Sequence, residues 1–148
     1  MYLTAIIDWY SRKIMGWNLS DTLETAPVLD TVRHAVERFG APAILNSDQG
    51  SQFTSAEYKA LLRSLGIRQS MDGRSRWADN IVIERWFRSL KTELIYTNEF
   101  CSPRELRRGI RRYIDDYNTL RPHTALDYAV PDDFFFAAFA RSADMIAG

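Results

Sequence analysis

A chain of 148 residues, 46% hydrophobic and 26% charged with zero formal net charge, suits one ordinary core and excludes a disordered or fibrous polypeptide. The lone cysteine, Cys101, excludes an intrachain disulfide and a cysteine-based zinc site, and His34 and His123 have no ligand-like spacing. The longest apolar run, 134–140, is too short to span a bilayer, and the N-terminus lacks a basic region leading into an apolar stretch, so a cytoplasmic protein without a membrane partner is expected.

In chain order, residues 2–8 (YLTAIID) are rich in β-formers, 8–12 read as a turn, and 13–19 (KIMGWNL) return as a second strand, which makes a hairpin. Thr25 is expected to cap a helix with Pro27 in its first turn; Leu29, Val32, Val36 and Phe39 recur at helical spacing until Gly40 and Pro42. Residues 43–46 form a short apolar strand. Thr54 and Glu57 read as a capping box ahead of Tyr58, Leu61, Leu62 and Leu65, with Gly66 as the stop. Residues 67–70 read as an edge strand and 71–78 as a mobile polar loop. A helix starts near Asp79 with Ile83, Phe87, Leu90 and Leu94 on one stripe. A second opens at Ser102-Pro103-Arg104-Glu105 and carries Leu106, Ile110, Tyr113 and Tyr117. After Arg121-Pro122 the period is lost until a short aromatic tail. Strand, strand, helix, strand, helix, strand, helix, helix is an α/β order with a mixed sheet.

Charge is distributed unevenly. Between Arg74 and Arg112 stand ten basic residues against five acidic ones. Such a stretch suits a phosphate backbone, or simply solvated helix faces, and charge alone does not choose between them. Asp48 follows a strand in Asn46-Ser47-Asp48-Gln49-Gly50, where α/β sheets gather ligand-handling groups, although turns favour Asp on their own account. Glu84 shares a helical stripe with Arg88 and Lys91, displaced by one residue from the apolar stripe, so it is expected at the border of the buried face. A surface Glu–Arg pair would explain that helix equally well.

The combination is more specific than either part. Thirty-five residues lie between Asp48 and Glu84, Asp79-Asn80 precedes Glu84, and Lys91 follows it by seven. With the hairpin 2–12 (YLTAIIDWYSR), the segment 84–93 (ERWFRSLKTE) and the ending Tyr117-Asn118-x-x-Arg121-Pro122-His123-x-x-Leu126, this resembles the integrase catalytic core of retroviruses and of insertion-sequence transposases of the OrfB type. The resemblance covers nearly the whole chain. It implies an α/β, RNase H-like mixed sheet flanked by helices, DNA cleavage and strand transfer, and Mg²⁺ or Mn²⁺ held by two Asp and one Glu. Asp48 and Glu84 match the second and third carboxylates, with Asn80 in support. Arg88 and Lys91 are implied as DNA contacts, and Arg121 and His123 through the resemblance alone. Implied partners are transposon-end and target DNA, and further copies of the complete chain.

The family's first Asp lies on the first, central strand, upstream of the hairpin, and no residue before Tyr2 supplies it. Asp8 falls in the hairpin turn, where a turn role is expected instead. The expectation is therefore a partial catalytic core over 1–120 with a tail over 121–148, truncated before its first carboxylate. A central strand that buries four or five aliphatic side chains is worth on the order of 10 kcal/mol, so the fragment should be marginal by itself. A non-catalytic DNA-binding or subunit-association remnant is the alternative function.

Overall fold

The computed structural model describes residues 1–47, 50–71 and 81–138. The chain packs as two compact units, one of residues 1–6 and 15–88 and one of residues 7–14 with the described part of 89–148.

The first unit opens with β1 (Tyr2–Ile7) and β2 (Ile14–Ser20), paired as the expected hairpin. Helix α1 (Thr25–Phe39) follows. Glu24 rather than Thr25 occupies its cap position and makes no side-chain cap bond, so the expected cap is off by one residue. Gly16 lets β2 approach α1 closely, since a Cβ there would sit 3.3 Å from the Thr31 carbonyl oxygen. Strand β3 (Ile44–Ser47) leads through a four-residue helix, α2 (Ser51–Thr54), into α3 (Ala56–Ser64). The capping residue of α3 is Ser55, whose Oγ accepts from the Tyr58 N–H at 3.2 Å; Thr54 belongs to α2 instead. Gly66 takes the left-handed conformation (φ 70°) that reverses the chain after α3.

Strand β4 (Arg68–Met71) then lies parallel to β3, with Ile44 opposite Arg68 and Ser47 opposite Met71. A parallel pair needs a crossover, which α2 and α3 provide. Val28 and Val32 of α1 pack with Tyr58 and Leu62 of α3 and with Ile67, and Ile6 of β1 and Leu45 of β3 lie against this same cluster. Burial raises the Tyr58 phenol to about 12. Among the described residues the expected single mixed sheet is present as two separate pairs, β1–β2 and β3–β4. No residue of β1 is fully buried despite its apolar sequence, and Ile44 at the start of β3 is 53% exposed.

Helix α4 (Ile81–Leu90) carries Glu84, Arg88 and the end of the first unit. Its buried ridge is Trp86 and Leu90, each 2% exposed, whereas Ile83 and Phe87 are only half-buried. The apolar stripe expected from Ile83 and Phe87 is thus turned, because the largest ring on the helix takes the interior position. The 71–78 loop expectation lies almost wholly outside the described residues.

In the second unit the helix continues as a π-turn over Lys91–Ile95, closed by the Tyr96 N–H donating to the Lys91 carbonyl at 2.8 Å. Leu94 therefore does not continue a regular stripe. Helix α5 (Pro103–Thr119) opens as expected: the Ser102 Oγ accepts from the Glu105 N–H at 3.2 Å. Glu105 reaches back one residue further than a capping box does, to the Cys101 N–H at 2.9 Å. Ile110, Ile114, Tyr117 and Asn118 are its buried residues.

Asn118 forms a two-way amide bridge, accepting from the Ile14 N–H at 2.9 Å and donating to the Ile14 carbonyl at 3.1 Å. Buried Lys13 pairs with Asp132 and lies over the Phe136 ring at 5.4 Å. A 3₁₀ turn (Thr124–Leu126) and a helical run over 131–138 complete the unit. The short aromatic tail, whose structure the sequence pattern left unassigned, is thus helical over 131–138, and Phe134 in it meets Tyr10 at 4.7 Å.

Candidate active site

Strand β3 ends at Ser47, so Asp48 comes directly after the carboxyl end of a strand, as the α/β rule asks. Asp48 and Asn80 themselves lie outside the described residues. Glu84 sits in the first turn of α4 and is exposed. This corrects its expected place at the border of the buried face. Trp86 defines that face, and Glu84, two residues away, is turned about 200° around the helix from it. Arg88 and Lys91 are also exposed, Lys91 as the first residue of the π-turn. Among the described residues, no three metal-ligating side chains gather. The chemistry of the two candidate donors nonetheless suits a hard cation: Asp48 and Glu84 would supply carboxylate oxygens, which Mg²⁺ and Mn²⁺ prefer.

Asp8 is occupied elsewhere, as its position in the hairpin turn suggests. Its Oδ2 accepts from the Ser11 N–H at 3.0 Å and from the Ser11 Oγ at 2.6 Å, and its own N–H donates to the Lys13 carbonyl at 2.9 Å. Ser11 is fully buried and Arg12 takes a positive φ of 64°, so this carboxylate holds a tight turn together.

Of the two residues implied by resemblance alone, Arg121 lies in a network that sequence reasoning missed. The Arg121 guanidinium engages both oxygens of Glu93 and reaches the Tyr113 hydroxyl at 3.4 Å, while that hydroxyl donates to Glu93 at 2.8 Å. The hydrogen bond from Arg121 holds the Glu93 carboxyl below its ordinary range; burial, and then Glu93, push the Tyr113 phenol up to about 12. Glu93, Tyr113 and Arg121 are separated by 20 and 8 residues in the chain, too far for any local pattern to link them.

His123 packs edge-on against Tyr117 at 4.9 Å. Burial first, then the charges of Arg121 and Arg12, hold its imidazole below the ordinary histidine range. The unfolded chain therefore takes up this proton more readily than the folded one. Stability from His123 is full above about pH 6.5 and is lost as pH falls through the depressed folded value. In urea titrations from pH 8 to 5, His123→Asn is expected to flatten that decline; an unchanged profile would assign the acid sensitivity to other groups.

With this geometry in place, the comparisons define the class of protein. The integrase core domain profile matches residues 1–76, and a second integrase core domain profile matches residues 65–131. The chain belongs to the integrase core domain family. Among curated relatives, it is 39% identical over 137 residues to a transposase for insertion sequence element IS904 of Lactococcus lactis, a match covering 90% of this chain and 54% of that protein. It is thus similar to insertion-sequence transposases, and it spans about half the length of the curated relatives it matches.

Among solved structures, the catalytic core domain of BIV integrase is similar with a TM-score of 0.77 at 18% identity, over 95% of this chain and 89% of that one. The HTLV-2 integrase catalytic core domain in complex with magnesium, in dimeric form, gives a TM-score of 0.67 at 20% identity, over 83% and 78%. The RNase H-like α/β fold expected from the sequence is therefore the fold of this chain. No helix among the described residues is long and apolar enough to cross a membrane.

Proposed function

We propose that this chain is the DNA strand-transfer core of an insertion-sequence transposase, present in residues 1–148 without its first catalytic Asp. One observation carries the reading: within the integrase core matches, Asp48 directly follows β3 and exposed Glu84 stands in the first turn of α4, with thirty-five residues between them. Asp48 and Glu84 would hold the divalent ions, Mg²⁺ or Mn²⁺, which when bound activate the attacking oxygen and stabilise the leaving oxygen at phosphorus. Asn80, in the segment before α4, supports Glu84. Arg88 and Lys91 bring exposed positive charge to the same helix and would touch backbone phosphates beside the reactive bond. Arg121 and His123 are proposed DNA contacts by resemblance only. Arg121 is already neutralised by Glu93, and burial and neighbouring positive charge disfavour the charged form of His123, so both would add less net charge than Lys91. Transposon-end and target DNA, and further copies of the complete protein, are the proposed partners.

The first of the three carboxylates is expected on a strand from outside residues 1–148. With one of the three carboxylates missing, Asp48 and Glu84 would hold the ions less firmly, at a cost of several kcal/mol of transition-state stabilisation. Residues 1–148 alone should give no detectable strand transfer with Mg²⁺ or Mn²⁺ on terminal-repeat DNA, and an Asp-bearing strand fused upstream should restore it. Clear activity from residues 1–148 would show that the first carboxylate is within them, and Asp8→Asn would be the variant to make first. The unjoined strand pairs favour one second reading, a non-catalytic DNA-binding or subunit-association remnant. A fused strand that restores folding without restoring transfer would select it.

A further inference from the structure

Helix α5 carries charge where helix physics disfavours it. Arg104, Arg107, Arg108 and Arg111 are exposed and line one shallow recess on the helix. Spacings of three and four residues bring Arg104 beside Arg107 and Arg108, and Arg111 beside both of the latter. Each such like-charge neighbour costs an isolated helix about 0.2–0.5 kcal/mol. Arg104 also stands in the first turn of α5, where the helix dipole disfavours a cation. The nearby carboxylate that would relieve it, Glu105, is spent on the Cys101 N–H. Among the described residues, Arg104, Arg108 and Arg111 form no ion pair. The chain's net charge is zero, so no general basicity explains the cluster. An external polyanion would offset both penalties.

We propose that this arginine stripe is a second DNA surface, which grips the phosphate backbone of a duplex without reading sequence. Four guanidinium groups lie within about 10 Å along the helix, at 1.5 Å per residue. Duplex DNA presents one negative charge per about 1.7 Å, and guanidinium matches phosphate bidentately. The recess offers no anchoring pocket of the kind a protein partner needs, because arginines alone line it. The inference rests on the DNA-handling reading above only for its choice of DNA among polyanions.

The test is fluorescence anisotropy of residues 1–148 on a random duplex of about 30 base pairs, across salt from about 50 to 200 mM. The variant Arg104→Gln/Arg107→Gln/Arg108→Gln/Arg111→Gln should lower the salt slope by about three to four units, and Arg108→Gln alone by about one. Exposed Lys59 and Arg63 of α3 are the control: Lys59→Gln/Arg63→Gln should leave the slope unchanged. Thermal melts followed by circular dichroism should show the quadruple variant at least as stable as the parent, because like-charge repulsion has been removed; this separates lost binding from lost folding. An unchanged slope in both stripe variants overturns the inference. So does a quadruple variant that keeps its DNA affinity but no longer binds poly-glutamate, which would mark a protein-docking face. Since the readout is binding, strand transfer by a completed core that needs no stripe would leave the proposed function standing while this inference fails. A stripe-dependent slope without any transfer would do the reverse.

Discussion

Glu84→Gln, made in a core that carries all three carboxylates, is expected to lower strand cleavage about a thousandfold while leaving the fold intact. The side chain is exposed on α4 with its apolar neighbours Trp86 and Leu90 on the other side, so an isosteric amide removes charge without opening a cavity. Cleavage should lose more than folding does, because in the proposed reaction the carboxylate acts where charge develops. A thousandfold is about 4 kcal/mol at 1.36 kcal/mol per decade, in the range expected when a metal clamp is weakened. DNA affinity should hold or rise slightly, since one negative charge leaves a surface bearing Arg88 and Lys91. Asp48→Asn should match it, and Glu57→Gln on α3 should change nothing. Initial cleavage rates on terminal-repeat duplexes decide: a drop under tenfold for Glu84→Gln removes it from the metal site.

Asn118→Ala is expected to destabilise the second unit by about 3 kcal/mol. The amide of Asn118 satisfies both the N–H and the carbonyl of Ile14, and both Asn118 and Ile14 are buried. Alanine leaves a buried donor and a buried acceptor without partners, at about 1–3 kcal/mol each. Asn118→Asp keeps an acceptor for the Ile14 N–H and loses the donor, so it should fall between the parent and Asn118→Ala. Urea midpoints at constant slope report the difference. A loss below about 1 kcal/mol for Asn118→Ala would mean that Ile14 finds other partners, and would demote the bridge to one contact among many.

The elements that sequence pattern predicted well are those whose causes are local. The hairpin of β1 and β2, the run of α1 up to Gly40, the stop of α3 at Gly66 and the Ser102 cap of α5 each depend on neighbours within a few residues, where propensity and capping act. Boundaries slipped by one residue where two capping side chains compete, as Ser55 did over Thr54. The candidate site was legible as spacing, because a carboxylate after a strand and another on a helix imprint their separation on the chain.

Other features were decided only by tertiary structure. Trp86 and not Phe87 is buried on α4, and the 131–138 helix forms where no period announces it. Lys13 finds Asp132 across 119 residues, and Ile14 finds Asn118 across 104. Glu93, Tyr113 and Arg121 form a network that neutralises an arginine which the sequence alone offers as a free cation. By itself, then, the sequence determined the element order, the family and the carboxylate spacing, all set by short-range backbone preference and by residue identity. Which face of each helix is buried, and which charges are already paired, depend on groups brought together from distant parts of the chain. Desolvation and hydrogen bonding act on that proximity, which no local window of sequence contains.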